Sequence, residues 1–109
     1  MGAKVTHKRI KEKYSRTPNA REREHHERVM QEPCAACGIR PCGVAHHLMQ
    51  DAPDKRWRRD HQFTVPLCDP CHRALHAHGG EAKWSLENGF NAVHVARFER
   101  LVSQQEGIL

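Results

Sequence analysis

The sequence predicts a small α+β domain, two short strands and a set of short helices stapled by a four-cysteine zinc site. Three observations lead there. Two Cys-x-x-Cys pairs, Cys34–Cys37 and Cys68–Cys71, supply four thiolates at knuckle spacing, a set that closes a tetrahedral zinc shell and leaves no open position. Signals for a helix, two strands and three further helices fit within a chain of only 109 residues, enough for one core and too few for two. Finally, hydrophobic residues make up 38% and aromatics 6%, a thin apolar supply against the conformational entropy lost on folding, so that a structural metal is needed to complete the fold.

Residues 1–16 carry Lys4, Lys8, Arg9, Lys11, Lys13 and Arg16 against a single Glu12. They hold the whole net charge of +5, because residues 17–109 carry twelve basic and twelve acidic side chains. The stretch lacks apolar periodicity and runs to Thr17-Pro18, so residues 1–18 read as a basic, flexible arm and 19–109 as the domain. A basic arm on a neutral domain suits a polyanion, since each phosphate it neutralises releases counterions; an arm that only aids solubility has the same composition. From Asn19 to about Gln31 the run of helix formers, with Asn19 as N-cap and Pro33 as stop, predicts a charged helix. Its few apolar residues, Ala20, Val29 and Met30, imply packing at its C-terminal end alone.

Gly38 after the first pair provides the open backbone of a metal knuckle. Strands are expected at Gly43 to His47 and Phe63 to Leu67. Between them, residues 49–62 are polar, basic and turn-rich, an exposed loop. A helix should run from Pro70 to His78, with Asp69 as N-cap and Gly79-Gly80 as stop. Two amphipathic helices follow, divided by Asn88-Gly89, the second with an apolar stripe of Val93, Val95, Ala96, Phe98, Leu101 and Val102.

No segment reaches the roughly 20 apolar residues needed to span a bilayer, and the N-terminus has no apolar signal region. The expected location is the cytoplasm, where paired cysteines point to metal rather than to disulfides. Thirty residues separate Cys37 from Cys68, more than the roughly 15–20 of a simple ribbon, so material is inserted between the knuckles. Cys42 stands outside the pairs, either as a substitute ligand or as a small buried residue.

Within this frame lie His46-His47 and His72-x-x-x-His76. Helix residues four apart share a face, so His72 and His76 can present two imidazoles to one cation. Adjacent strand residues point to opposite faces, so His46 and His47 should have different tasks. One completes a three-histidine metal site that leaves positions for water and a phosphate oxygen. The other is suited to accepting a proton from water. Lys55, Arg56, Arg58 and Arg59 around Trp57 form a basic, aromatic patch suited to backbone phosphates, or else an ordinary solvated loop with Trp57 on the core.

The order CxxCG, AHH, a basic loop, then VPLCxxCHxxxH resembles the HNH endonuclease superfamily, with its ββα-metal core, and in pattern the phage recombination-associated nucleases of the Ref and YbcO type. The resemblance covers about residues 22 to 90. It implies metal-dependent hydrolysis of phosphodiester bonds, leaving 5′ phosphate and 3′ hydroxyl ends, with nucleic acid, DNA above all, as partner and a recombination protein as a further one. It also implies a structural Zn²⁺ at Cys34, Cys37, Cys68 and Cys71, and a catalytic Mg²⁺, Mn²⁺ or Zn²⁺ at His46, His72 and His76, with His47 as general base. If phage-encoded, the chain would work in the host cytoplasm.

The family's central Asn, which holds the base histidine, has no counterpart here; its slot falls near Phe63 or Thr64. Asp60, His61 or Gln62 can take over by hydrogen-bonding the His47 ring, with Asp60 first because a carboxylate also stabilises imidazolium. A second reading of the whole chain stays open: a zinc-finger module that binds DNA or a protein without cutting. A zinc hydrolase of small molecules is disfavoured, because a helical HExxH or similar glutamate base is missing.

Overall fold

The computed structural model describes residues 17–48 and 60–109. Its elements are α1 (Ala20–Met30), β1 (Gly43–His47), β2 (Thr64–Cys68), α2 (Asp69–His78), α3 (Glu81–Glu87) and α4 (Ala92–Gln105). The basic arm up to residue 16 and the patch Lys55, Arg56, Trp57, Arg58 and Arg59 lie outside the described residues. Among the described residues, no helix is long and apolar enough to cross a membrane.

α1 starts as its sequence predicts. The Asn19 side chain accepts from the Glu22 backbone at 2.8 Å, and the Glu22 carboxylate accepts from the Asn19 backbone at 2.9 Å. This reciprocal box satisfies two of the backbone donors that a helix start leaves unpaired. The knuckle follows, with Gly38 at φ 81, a left-handed value that a side chain would strain. The Ala35 backbone N–H donates to Pro66 O at 2.9 Å, which ties the knuckle to β2.

β1 and β2 pair antiparallel, with His46 opposite Val65 and His47 opposite Thr64. Every residue of β2 is buried. The core gathers Cys34, Cys42, Leu48, Val65, Leu67, Cys68, Leu75, Trp84, Ala92 and Ala96. Cys42 is thus a small core residue, its thiol 3.4 Å from Val29 O and held in its neutral form by burial.

α2 begins one residue before its expected start. Cys68 is its N-cap, without a side-chain bond, and the expected cap Asp69 instead faces Arg73 at 3.0 Å. Pro70 fits the first turn, where its missing N–H is not needed. The stop is as expected: Gly79 takes φ 81 and its N–H returns to Leu75 O.

α4 keeps the first half of its predicted stripe, with Val93, Val95 and Ala96 packed on the core, and departs from it beyond. Its buried residues are Ala92, Ala96, Glu99 and Ser103, while Phe98 and Leu101 are 59% and 50% exposed. The reason lies in α1, which has too little apolar surface to receive an apolar face. It offers His25 and Arg28 instead. Arg28 donates to the Glu99 carboxylate at 2.7 Å and to Ser103 Oγ at 2.8 Å. Ser103 Oγ, already accepting, is left to donate to His25 Nδ1 at 2.6 Å, and His25 Nε2–H donates to Gln62 O at 3.0 Å. Burial first, then the charges of His26 and Arg28, push the His25 ring down to about 4, consistent with this neutral tautomer. α1 is therefore held through its C-terminal half, from His25 onward, as expected, but by polar contacts as well as by Val29.

Within this network, Arg28→Ala would leave the Glu99 carboxylate buried and unpaired. Such a loss costs about 3 kcal/mol or more, and urea denaturation of the metal-loaded protein should show it as a lower midpoint with unchanged slope.

Candidate metal centres and a histidine pair

Cys34, Cys37, Cys68 and Cys71 converge, with all four Sγ atoms within 4.8 Å of one another. Cys37 Sγ and Cys68 Sγ are 3.6 Å apart, near the roughly 3.8 Å that tetrahedral zinc with roughly 2.3 Å bonds sets between its sulfurs. Two features of the fold bring them together. The knuckle supplies the first pair, and β2 running directly into α2 supplies the second, one thiol at the strand end and one in the first helical turn.

Burial pushes the Cys34 thiol up, but backbone hydrogen bonds at Cys37, Cys68 and Ala36 outweigh it and bring the group down to about 7. Cys71 is pushed up by burial and by the neighbouring thiols. Four sulfurs this close cannot all carry negative charge without a cation between them. The donor set therefore fits a structural zinc.

On α2, Cys71 and His72 are adjacent, about 100° apart around the axis, so the thiol serves one cluster and the imidazole another. His46, His72 and His76 bring one ring nitrogen each within 4.8 Å. His72 Nε2 lies 3.1 Å from His46 Nδ1 and 3.0 Å from His76 Nε2. The three expected ligands are together, from β1 and from one turn of α2. His46 is buried and His76 exposed, so the cluster opens to solvent on its helical side.

The sequence reading missed Glu81. Its carboxylate, on the first turn of α3 and 2% exposed, accepts from His46 Nε2–H at 2.6 Å. That bond fixes the proton on Nε2 and turns the Nδ1 lone pair toward His72, the arrangement by which carboxylates orient and strengthen histidine ligands. Acidic residues are ordinary at helix starts, so nothing in the sequence singles this one out. Glu81→Gln should weaken metal binding at the histidine cluster about 10-fold to 100-fold, read by competition with a chromophoric chelator. Unchanged affinity would reduce the contact to packing.

His47 points to the other face, as strand alternation requires. The group that meets its ring is His61, with Nδ1 2.9 Å from His47 Nε2. Asp60, expected there, accepts from the Gln62 backbone at 3.0 Å and closes a turn, so the residue after it brings a ring to His47. Gln62 has no such role; its side chain accepts from Arg100 Nε at 2.8 Å.

His26 was also missed. It donates from Nε2 to His61 O at 2.6 Å, beside the His25 bond to Gln62 O. Two neighbouring histidines of α1 thus clip two neighbouring carbonyls ahead of β2. A His-His pair in an otherwise Glu-rich and Arg-rich helix was the available signal. Burial, then the nearby His26 and His61, push His47 down to about 4, so its ring is neutral near neutral pH.

Comparisons with known protein families, with curated proteins and with solved structures yield no match to this chain.

Proposed function

We propose that the chain is a metal-dependent endonuclease of the HNH, ββα-metal type, hydrolysing phosphodiester bonds in nucleic acid, DNA above all. The carrying observation is the convergence of His46, His72 and His76 beside a neutral histidine on the next strand position. A closed structural zinc already has four thiolates, and a scaffold has no need of a second, carboxylate-backed donor set that opens to solvent. The order β1, β2, α2, with imidazoles from the first strand and the helix, supports the same reading.

In this reading His46, His72 and His76 would hold a dication, which when bound would supply positive charge for the phosphate and the leaving 3′ oxygen. His47 takes the proton of the attacking water. Since Nε2 faces His61 Nδ1, the accepting atom is Nδ1, with Nε2–H held by His61. His61 thereby does what the family's Asn does, fixing the tautomer of the base. The basic arm and the patch at Lys55–Arg59 would hold backbone phosphates, so that cutting weakens steeply with added salt.

The test is a nicking assay on plasmid and on single-stranded DNA with Mg²⁺, Mn²⁺ or Zn²⁺, run beside His47→Ala. The expected result is metal-dependent cutting that falls at least about 100-fold in the variant, with the fold intact. Metal binding without any cutting would assign the chain instead to a non-catalytic zinc module. Full activity in His47→Ala would remove that residue as base.

A further inference from the structure

We infer that His26, His47 and His61 form a second histidine site for a transition-metal dication such as Zn²⁺, on the face of β1 opposite to His46, His72 and His76. One ring nitrogen of each lies within 4.8 Å of the other two, the same closeness found in the first histidine cluster. The three come from α1, from β1 and from the turn before β2, so the fold and not one local segment assembles them. His47 Nε2 and His61 Nδ1, at 2.9 Å, stand slightly closer than the roughly 3.3 Å separating two tetrahedral ligand nitrogens on bonds of roughly 2.0 Å. A small opening of the pair would admit the ion.

A second observation supports this. A carbonyl oxygen can only accept, so the His26 bond to His61 O at 2.6 Å places the proton of His26 on Nε2 and leaves Nδ1 unprotonated. A backbone carbonyl on the far nitrogen is the usual companion of a metal-binding histidine, as Glu81 is for His46. Three imidazole nitrogens select a borderline ion such as Zn²⁺, Ni²⁺ or Cu²⁺ over Mg²⁺. His61 is buried and His26 and His47 are half-buried, which leaves a route to the outside.

The site stands on its own geometry; one consequence rests on the endonuclease reading above. An imidazole that gives Nε2 to a metal carries its proton on Nδ1 and accepts no second one, so zinc in this site takes His47 out of use as a base. With the cysteine cluster and the first histidine cluster already filled by two equivalents, further zinc should then suppress cutting.

The experiment is zinc titration of the full chain, with the imidazole nitrogens followed by long-range ¹H–¹⁵N correlation and the bound metal counted after dialysis. Three zinc ions per wild-type chain are expected, the last shifting the rings of His26, His47 and His61. The double variant His26→Gln/His61→Gln should hold two, and His72→Gln should keep the response of His26, His47 and His61. Saturation of the wild type at two ions, with those three rings unmoved, would overturn the site. The wild-type spectra decide even if the double variant fails to fold. Binding is measured without substrate, so this inference and the endonuclease reading fail separately.

Discussion

Stripping the metal from the four cysteines is expected to unfold the domain. Structural zinc sites of this kind contribute on the order of 10–16 kcal/mol of apparent binding free energy, while a domain of this size has a net stability of only about 5–15 kcal/mol. Removing the first quantity exhausts the second. Cys34 and Cys68 are also core residues, and four thiols crowded without a cation repel one another as they ionise. A strong chelator should therefore collapse the helical far-UV signal and abolish the cooperative thermal transition, and added zinc should restore both. Cys71→Ser should behave like the chelated protein. A chelated chain that still melts sharply would show that the apolar core suffices.

The second large effect is expected at His72. Its Nε2 stands between His46 Nδ1 and His76 Nε2, so His72→Ala removes the middle donor of the cluster. On the endonuclease reading, cutting should fall about 10³-fold or more, equivalent to about 4 kcal/mol of lost transition-state stabilisation. The four-cysteine cluster does not include His72, so the melting transition should survive. His78→Ala is the control on the same helix; that ring faces Glu87 at 3.3 Å, and its loss should leave cutting unchanged. Equal activity of His72→Ala and His78→Ala would dissociate the histidine cluster from catalysis.

What the sequence made legible was whatever local rules decide. The Asn19 cap, the Gly79 stop and the extent of β1 follow from short-range chemistry and were readable. So were the four cysteines, because knuckle spacing is itself the signal, and the split between His46 and His47, because strand alternation admits no other outcome. The contacts made across the fold were not legible. Glu81 reaches His46 from 35 positions away, and only the packing of α3 brings it there. His61 stood among three candidates for the contact with His47, with Asp60 ranked first, and His26 looks like a surface residue until α1 is laid against the turn before β2. The α4 stripe held at Val93, Val95 and Ala96 and failed at Phe98 and Leu101 for a related reason: periodicity reports which face is apolar, not whether the neighbour can receive it, and α1 offers Arg28 and His25 instead.

The pairing of Gly43 with Cys68 has a consequence for how the hairpin keeps its alignment. Two five-residue strands alone make a ribbon of marginal stability that can slide. A slide of one position would reverse every side chain of β1, sending His47 toward α2 and His46 toward α1, so that each histidine group would lose its strand member. A metal held between the end of β2 and a knuckle that hydrogen-bonds β2 at Pro66 would resist that sliding. With metal bound, the cysteines would act as a ratchet pawl for the histidines, deciding which imidazole faces which way without taking part in either histidine group.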